Sequence, residues 1–375
     1  MSDQVEMLDD ELDGDTDDST EKPFEELDLA PEERRLVTQP YDIAVRQLSS
    51  DVADGKILLI EVPYQREYVW DDAKASRLIE SLLLNVPIPV CYFAENTDGT
   101  WEVIDGLQRT HSIVRFLKGE FALRGLSVAK ELNSKRFSDL PVRDQRRIET
   151  RTMRCVVVTE DSHPDIKFDV FERLNTGSVK LTPQELRNCI YRGQLNDDLR
   201  TLAAQDAFRK AIGRAKNPRM GDEEMILRYL ALVEGFPGYK PPVTQFLNEY
   251  MRARRSAAID PHLRTKFEST MRTIFDVLGG SGFRSRDEEG QLRGVNRALF
   301  DAVSISYSFA DHAVCRTRAS QLREGHEELL RSPTFLPLIG RATADRTRMH
   351  GRVRRYADMM SAAGISVDMS QIPAE

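Results

Sequence analysis

Val90-Cys91-Tyr92-Phe93, Asn96-Thr97-Asp98-Gly99 and Trp101-Glu102-Val103-Ile104-Asp105-Gly106-Leu107-Gln108-Arg109-Thr110 together decide the fold. Two apolar runs flank a polar turn signal ending in Asp-Gly, which predicts a β-hairpin. The second run stops at Asp105-Gly106, another turn dipeptide. Apolar residues then recur at helical spacing through Ile113, Phe116 and Leu117, toward a stop near Gly119. A hairpin feeding directly into a helix predicts a mixed domain.

The pattern continues on both sides. Upstream, residues 57–62 are a short apolar run ended by Pro63, consistent with a strand. Residues 73–84 repeat Leu78, Ile79, Leu82 and Leu83 at helical spacing before Pro87 and Pro89. Downstream, residues 155–159 read as a strand, and residues 166–174 and 183–192 as helices. Thr182, Pro183 and Glu185 supply a cap, a first-turn proline and an early acidic residue. Beyond about residue 200 the strand signals fade. Helices are predicted over 223–234, 242–256, 263–278, 295–313 and 319–330, with a loop at 279–294. The expected organisation is an acidic, disordered tail over 1–35, a mixed domain over 36–200 and a mostly α-helical lobe over 201–375.

The chain has 375 residues and a net charge of −8, but that charge is uneven. Residues 1–35 hold fifteen acidic residues against three basic ones, a net of −12, so the remainder carries +4. The tail lacks hydrophobic periodicity. It reads either as a solubilising segment or as a nucleic-acid mimic competing for a basic groove. Its acidic start is unlike a signal peptide, and no run of about 18 apolar residues suggests a membrane span. The four cysteines, Cys91, Cys155, Cys189 and Cys315, are far apart and form no CxxC pair. That speaks against a zinc ribbon or a disulfide scaffold and for a reduced, cytoplasmic protein.

Three segments carry candidate chemistry. At Asp105–Arg109, a glycine that lets the backbone approach a ligand precedes a helix start, with a carboxylate and a guanidinium alongside. Such a start suits phosphate oxygens, and Asp105 is a candidate for magnesium or water. Against that stands the commonness of Asp-Gly turns and of surface arginines. Pro63-Tyr64-Gln65-Arg66-Glu67-Tyr68-Val69-Trp70 places Gln65 and a second cation, Arg66, after a strand; Tyr68 and Trp70 suit either base stacking or core packing. Phe171-Glu172-Arg173-Leu174-Asn175-Thr176-Gly177 and Glu185-Leu186-Arg187-Asn188 crowd Arg173, Asn175 and Arg187 around one bend. His111, in the same helix as Arg109, reads as a solvated or capping residue or as an acid–base group.

Together these segments resemble the N-terminal domain of GmrSD-type restriction endonucleases. The resemblance rests on Pro63, Gln65, Arg66 and Trp70; on Leu78-Ile79-Glu80-Ser81 with Pro87-Ile88-Pro89; on Asp105-Gly106-Leu107-Gln108-Arg109; and on Arg173–Gly177 with Glu185–Asn188. It implies an α+β, ParB/sulfiredoxin-like domain that binds and hydrolyses nucleoside triphosphate in DNA restriction or phage defence. By position it implies Asp105, Gln108 and Arg109 as catalytic residues, and Asp105 as the Mg2+ ligand. Gln65, Arg66, Gly106, Arg173 and Asn175 would bind nucleotide. Leu107 stands where the family motif has its first glutamine. Relatives often append an HNH-type nuclease. The six histidines, His111, His163, His262, His312, His326 and His350, form no tight pair, so either a separate nuclease subunit is a partner or the first domain does the work itself.

Residues 316–355 contain ten arginines, no lysine and four acidic residues. Either this is a solvated face or Arg348, Arg352, Arg354 and Arg355 contact DNA. Three readings follow: an NTP-hydrolysing restriction component; a DNA nickase using Asp105, Glu67 and Glu172; and a non-catalytic nucleotide-sensing adaptor that binds DNA.

Overall fold

The computed structural model describes residues 35–59, 68, 70–174, 182–213, 220–287, 289–340 and 345–372. These fall into two compact units, one within Leu27–Tyr191 and the other running from Arg192 toward the C-terminus. The acidic tail, Gln65, Arg66, Glu67 and Asn175 lie outside the described residues.

The first unit comprises β1 (Thr38–Ala44), α1 (Val45–Ala53), β2 (Ile57–Leu58), α2 (Asp72–Leu84), β3 (Cys91–Glu95), β4 (Trp101–Asp105), α3 (Leu107–Leu117), α4 (Val142–Thr150), β5 (Thr152–Val158), α5 (Pro164–Leu174) and α6 (Pro183–Ile190). Its five-stranded sheet has the order β1-β5-β3-β4-β2. β1 and β5 are antiparallel, β5 and β3 parallel, β3 and β4 antiparallel, and β4 and β2 parallel. The α+β class expected from the sequence is the one observed.

The predicted hairpin is β3–β4. Gly99 adopts φ +79°, Asn96 N bonds Thr100 O at 2.8 Å, and Asp98 Oδ1 accepts Thr100 N at 3.0 Å. α2 begins where Asp71 caps Lys74 N at 2.7 Å and stops at Asn85, in the left-handed region. α6 carries the anticipated cap, and Glu185 makes it reciprocal: Thr182 N donates to Glu185 Oε2 at 2.6 Å and Glu185 N to Thr182 Oγ1 at 3.2 Å. β2 is shorter than the predicted strand, with two residues; residues 60–62 lie outside the described set.

The two sheet faces bury different partners. Cys91, Phe93, Val103, Met153, Cys155 and Val157 pack with α1–α4 residues such as Leu48, Ile79, Phe116 and Ile148. Ala94, Ile104 and Val158 pack under Phe168 and Phe171 of α5 and Leu186 of α6. Burying one such side chain contributes about 1.5–3 kcal/mol.

A carboxylate ties the α3–α4 connection to α2. Glu80 is 6% exposed; its Oε1 accepts Val128 N at 2.8 Å and Ala129 N at 2.9 Å. Burial works to raise its pKa, but the N–H groups of Ala129, Val128 and Ser127 outweigh it, so the pKa lies below its ordinary 4.5. A depressed carboxylate contributes stability above its unfolded-state pKa and loses it as pH falls through the folded-state value. Glu80→Gln should therefore cost about 1.5–3 kcal/mol near pH 7. In urea titrations the two proteins should converge as the pH is lowered below 4.5; a gap that is constant with pH would refute this account.

The second unit comprises α7 (Gln194–Ala203), α8 (Asp206–Ile212), α9 (Gly221–Gly235), α10 (Val243–Arg254), α11 (Pro261–Leu278), β6 (Arg284–Arg286), β7 (Leu292–Val295), α12 (Arg297–Ser308), α13 (His312–Thr317), α14 (Ala319–Leu329), α15 (Leu336–Gly340) and α16 (Arg346–Ala362). α9 and α12 are buried nearly all round. The loop expected at 279–294 contains the β6–β7 ribbon, whose turn is held by Asp287 Oδ1 accepting the N–H groups of Glu289 and Gln291. The helix expected over 295–313 breaks between α12 and α13. There Asp311 caps Ala313 N at 2.9 Å, and Phe309 O accepts Asp368 N at 2.8 Å.

At the centre of this unit, Asp301 of α12 receives Arg228 of α9 and Arg352 of α16. Arg228 Nε reaches Oδ1 at 3.0 Å, its Nη2 bonds Oδ2, and Arg352 Nη2 meets Oδ2 at 2.7 Å. Asp301 and Arg352 are fully buried and Arg228 is 5% exposed.

Candidate functional site

α3 starts where β4 ends, and Gly106 makes the join. Its φ is +99°, and a β-carbon there would sit 2.5 Å from Cys91 Sγ. The position thus excludes side chains by both conformation and space. Thr110 N bonds Gly106 O at 2.9 Å, closing the first turn, and no side chain caps it. First-turn N–H groups have no intrahelical acceptor, so the helix presents a partial positive charge there.

Arg109 is held in place. Its Nη2 meets Asp105 Oδ2 at 2.5 Å, while Nη1 bonds the carbonyl oxygens of Pro89 and, at 3.3 Å, Val90. The Pro-Ile-Pro segment and the helix start are thereby fastened together by a side chain that is 12% exposed. Leu107, the residue in place of the family glutamine, packs against the core.

Gln108 is buried, and its Oε1 accepts Trp70 N at 3.2 Å. One turn on, Ser112 Oγ donates to Gln108 O at 2.6 Å and lies 2.9 Å from the Tyr68 hydroxyl. The Arg115 guanidinium lies 4.4 Å from the Tyr68 ring centre and 5.2 Å from that of Phe121. His111 meets Tyr68 edge-on at 4.8 Å, and Lys74 lies over Trp70 at 4.8 Å. Tyr68 and Trp70 both pack against the core while remaining partly exposed. The sequence reading overlooked Ser112 and Arg115. Their spacing of four and seven residues from Gln108 was the available signal, because it repeats one helix face.

Asp105, Gly106 and Arg109 thus meet at the β4–α3 turn, while the Gln108 side chain faces Trp70. Arg173 is on α5, the helix covering the opposite sheet face, where it pairs with Asp169 at 2.9 Å. Arg187, expected at the same bend, is buried and bonds Gln184 Oε1 at 3.1 Å. Among the described residues no three His, Cys, Asp or Glu side chains converge as a metal cluster. Nor is any helix among them long and apolar enough to cross a membrane.

Beneath the turn, Cys91 and Cys155 are register partners on β3 and β5. Burial raises the Cys91 thiol pKa and pushes that of Cys155 up to about 12, so neither has the thiolate character of a nucleophile.

The arginine-rich C-terminal stretch requires a correction. Arg352 cannot contact DNA, since it is fully buried on Asp301. Several of its neighbours in sequence are also engaged within the unit. Arg316 bonds Asp276 at 2.8 Å, Arg323 Nε bonds Val277 O at 2.5 Å, Arg331 pairs with Glu327 at 3.2 Å, and Arg355 bonds Thr334 Oγ1 at 2.9 Å. Arg348 reaches Pro337 O at 3.4 Å, and Arg354 is half-buried. A charge count registers none of this, because buried pairs and solvated cations look alike in sequence.

Comparison with curated proteins found no match. Comparison with protein families found one for residues 45–192, about two fifths of the chain: GmrSD restriction endonuclease, N-terminal domain. The matched span runs from α1 through α6 and contains the α3 turn and the segments it fastens. Residues 45–192 are therefore a domain of the GmrSD restriction endonuclease N-terminal family.

Proposed function

We propose that this chain is an NTP-dependent component of a DNA restriction or phage-defence system, with nucleoside triphosphate bound at the start of α3. The observation carrying this reading is the uncapped helix N-terminus at Gly106, with the Asp105 carboxylate and Arg109 guanidinium beside it. A helix start without a side-chain cap and a close-approach glycine suit a phosphate. Asp105, which also holds Arg109, is the residue that would hold Mg2+. Bound there, the ion would supply charge neutralisation at the phosphates. Arg109 holds the turn in shape and Gln108 anchors the chain at Trp70; both position the site. DNA cleavage would fall to a separate nuclease subunit.

One observation favours the adaptor reading. Leu107 packs into the core and offers no polar group where the family has glutamine, so nucleotide would bind without turnover.

The test is phosphate release from each of the four NTPs with Mg2+, with and without duplex DNA. Wild type is compared with Asp105→Asn, which keeps an acceptor for Arg109, and with Arg109→Ala. Turnover reduced by about 10²-fold or more in both variants is the expected result. Stable nucleotide occupancy without release would select the adaptor, and absence of nucleotide affinity would refute both readings.

A further inference from the structure

The helical unit was the sequence-based choice for DNA contact, yet many of its C-terminal arginines are engaged within the unit. The first unit carries a second concentration of cations, some of them exposed and met by no carboxylate among the described residues. Residues 115–154 carry eleven Lys and Arg against five Asp and Glu. Lys118, Lys130, Arg136, Arg143 and Arg146 in this stretch are exposed, and none meets a carboxylate among the described residues.

Hydrogen bonds knit the segments bearing these cations into one surface. Arg136 Nη1 bonds Gly119 O, beside Lys118. Leu123 N bonds Lys135 O at 2.9 Å, and Ser134 N bonds Leu123 O at 2.7 Å. Gln145 Nε2 bonds Leu140 O at 2.8 Å, drawing α4 against the preceding connection. On α4, Arg143, Arg146 and Arg147 follow at spacings of three and four, so they share one helix face, opposite the buried Ile148. Of the nearby acids, Glu120 pairs with Arg115, Asp139 accepts the N–H of Arg136 and Asp144 pairs with Arg147, while Glu131 and Glu149 remain among the cations. Beneath this connection, the buried Phe121 packs on the guanidinium that covers Tyr68.

We infer that α4 and the connection before it form the surface on which this protein holds a nucleic-acid backbone, independently of base sequence. Unpaired, exposed cations on a contiguous face release counterions when phosphates replace them, which is the source of salt-sensitive, sequence-independent affinity. Arginine and lysine without carboxylate partners avoid the cost of breaking an internal ion pair. The inference rests on the DNA-acting half of the proposed function and not on nucleotide turnover.

The test uses the full chain without nucleotide and a labelled duplex of about 30 bp, followed by anisotropy between about 50 and 200 mM salt. Lys118→Ala/Arg143→Ala/Arg146→Ala should weaken binding by at least about tenfold and lower the salt slope by about 2–3. Arg143→Lys/Arg146→Lys should retain wild-type affinity within about threefold, since phosphate attraction needs charge more than shape. Arg348→Ala/Arg354→Ala/Arg355→Ala should leave affinity within about twofold. Loss in this last variant with none in the first would overturn the inference, as would wild-type binding that does not weaken with salt. Phosphate release measured on the first variant without DNA should be unchanged, so failure of the nucleotide reading and failure of this one are told apart.

Discussion

Asp301→Ala should destabilise the helical unit by about 3–5 kcal/mol. Asp301 is the carboxylate shared by Arg228 and Arg352, and the three side chains come from α9, α12 and α16. Removing it leaves two guanidinium groups in the interior without the anion that offset their desolvation. Arg228 and Arg352 are themselves buried, so neither side chain reaches water without moving its backbone. Asp301→Asn should recover only a minor part of the loss, since the amide accepts a hydrogen bond but carries no charge. Urea unfolding followed by helical circular dichroism reads the effect. A midpoint within experimental error of wild type would show that the network contributes little.

Gly106→Ala is the second large effect, and it separates into two causes. A β-carbon at φ +99° costs about 1–3 kcal/mol in backbone strain. The same atom lies 2.5 Å from Cys91 Sγ and 3.1 Å from its Cβ, and such overpacking typically costs a further 1–3 kcal/mol or so. Cys91→Ala in the same protein removes the sulfur and leaves the strain. The double variant should therefore be less destabilised than the two single effects predict, a coupling that a double-mutant cycle in denaturant measures. Strict additivity would mean that the glycine is needed for its dihedral angle alone. Nucleotide affinity should fall in both variants, since the turn that starts α3 is displaced in each.

The elements legible in sequence were those whose own residues report their burial. α2 repeats Leu78, Ile79, Leu82 and Leu83 on its inner face, and the β3–β4 hairpin has its turn written between apolar runs. β1 gave no such signal. Five of its seven residues are exposed, Pro40 interrupts it, and its strand conformation comes from pairing with β5, more than a hundred residues away. α4 escaped for a related reason, with Ile148 its one buried residue. At the candidate site the residue types were readable but their engagements were not. Gln108 and Arg109 face Trp70 and the Pro-Ile-Pro segment, partners set by the folded chain and distant in sequence. Arg352 shows the same limit, since nothing in its sequence neighbourhood names Asp301.

The β1–β5 pairing also governs when the sheet of the first unit can close during synthesis. Thr38 pairs with Val158, and just outside the strands Val37 N bonds Ser162 Oγ at 2.9 Å and His163 N bonds Arg35 O at 2.9 Å. The edge strand is made early, yet its partner follows only more than a hundred residues later, with α5 and α6 of the same unit still to come. At roughly 5–20 residues per second, β1 waits several seconds with its hydrogen-bonding groups unmatched. Closing so long a loop costs little more than closing a shorter one. The delay is in time, and the proline within β1 keeps the waiting strand a poor template for other chains.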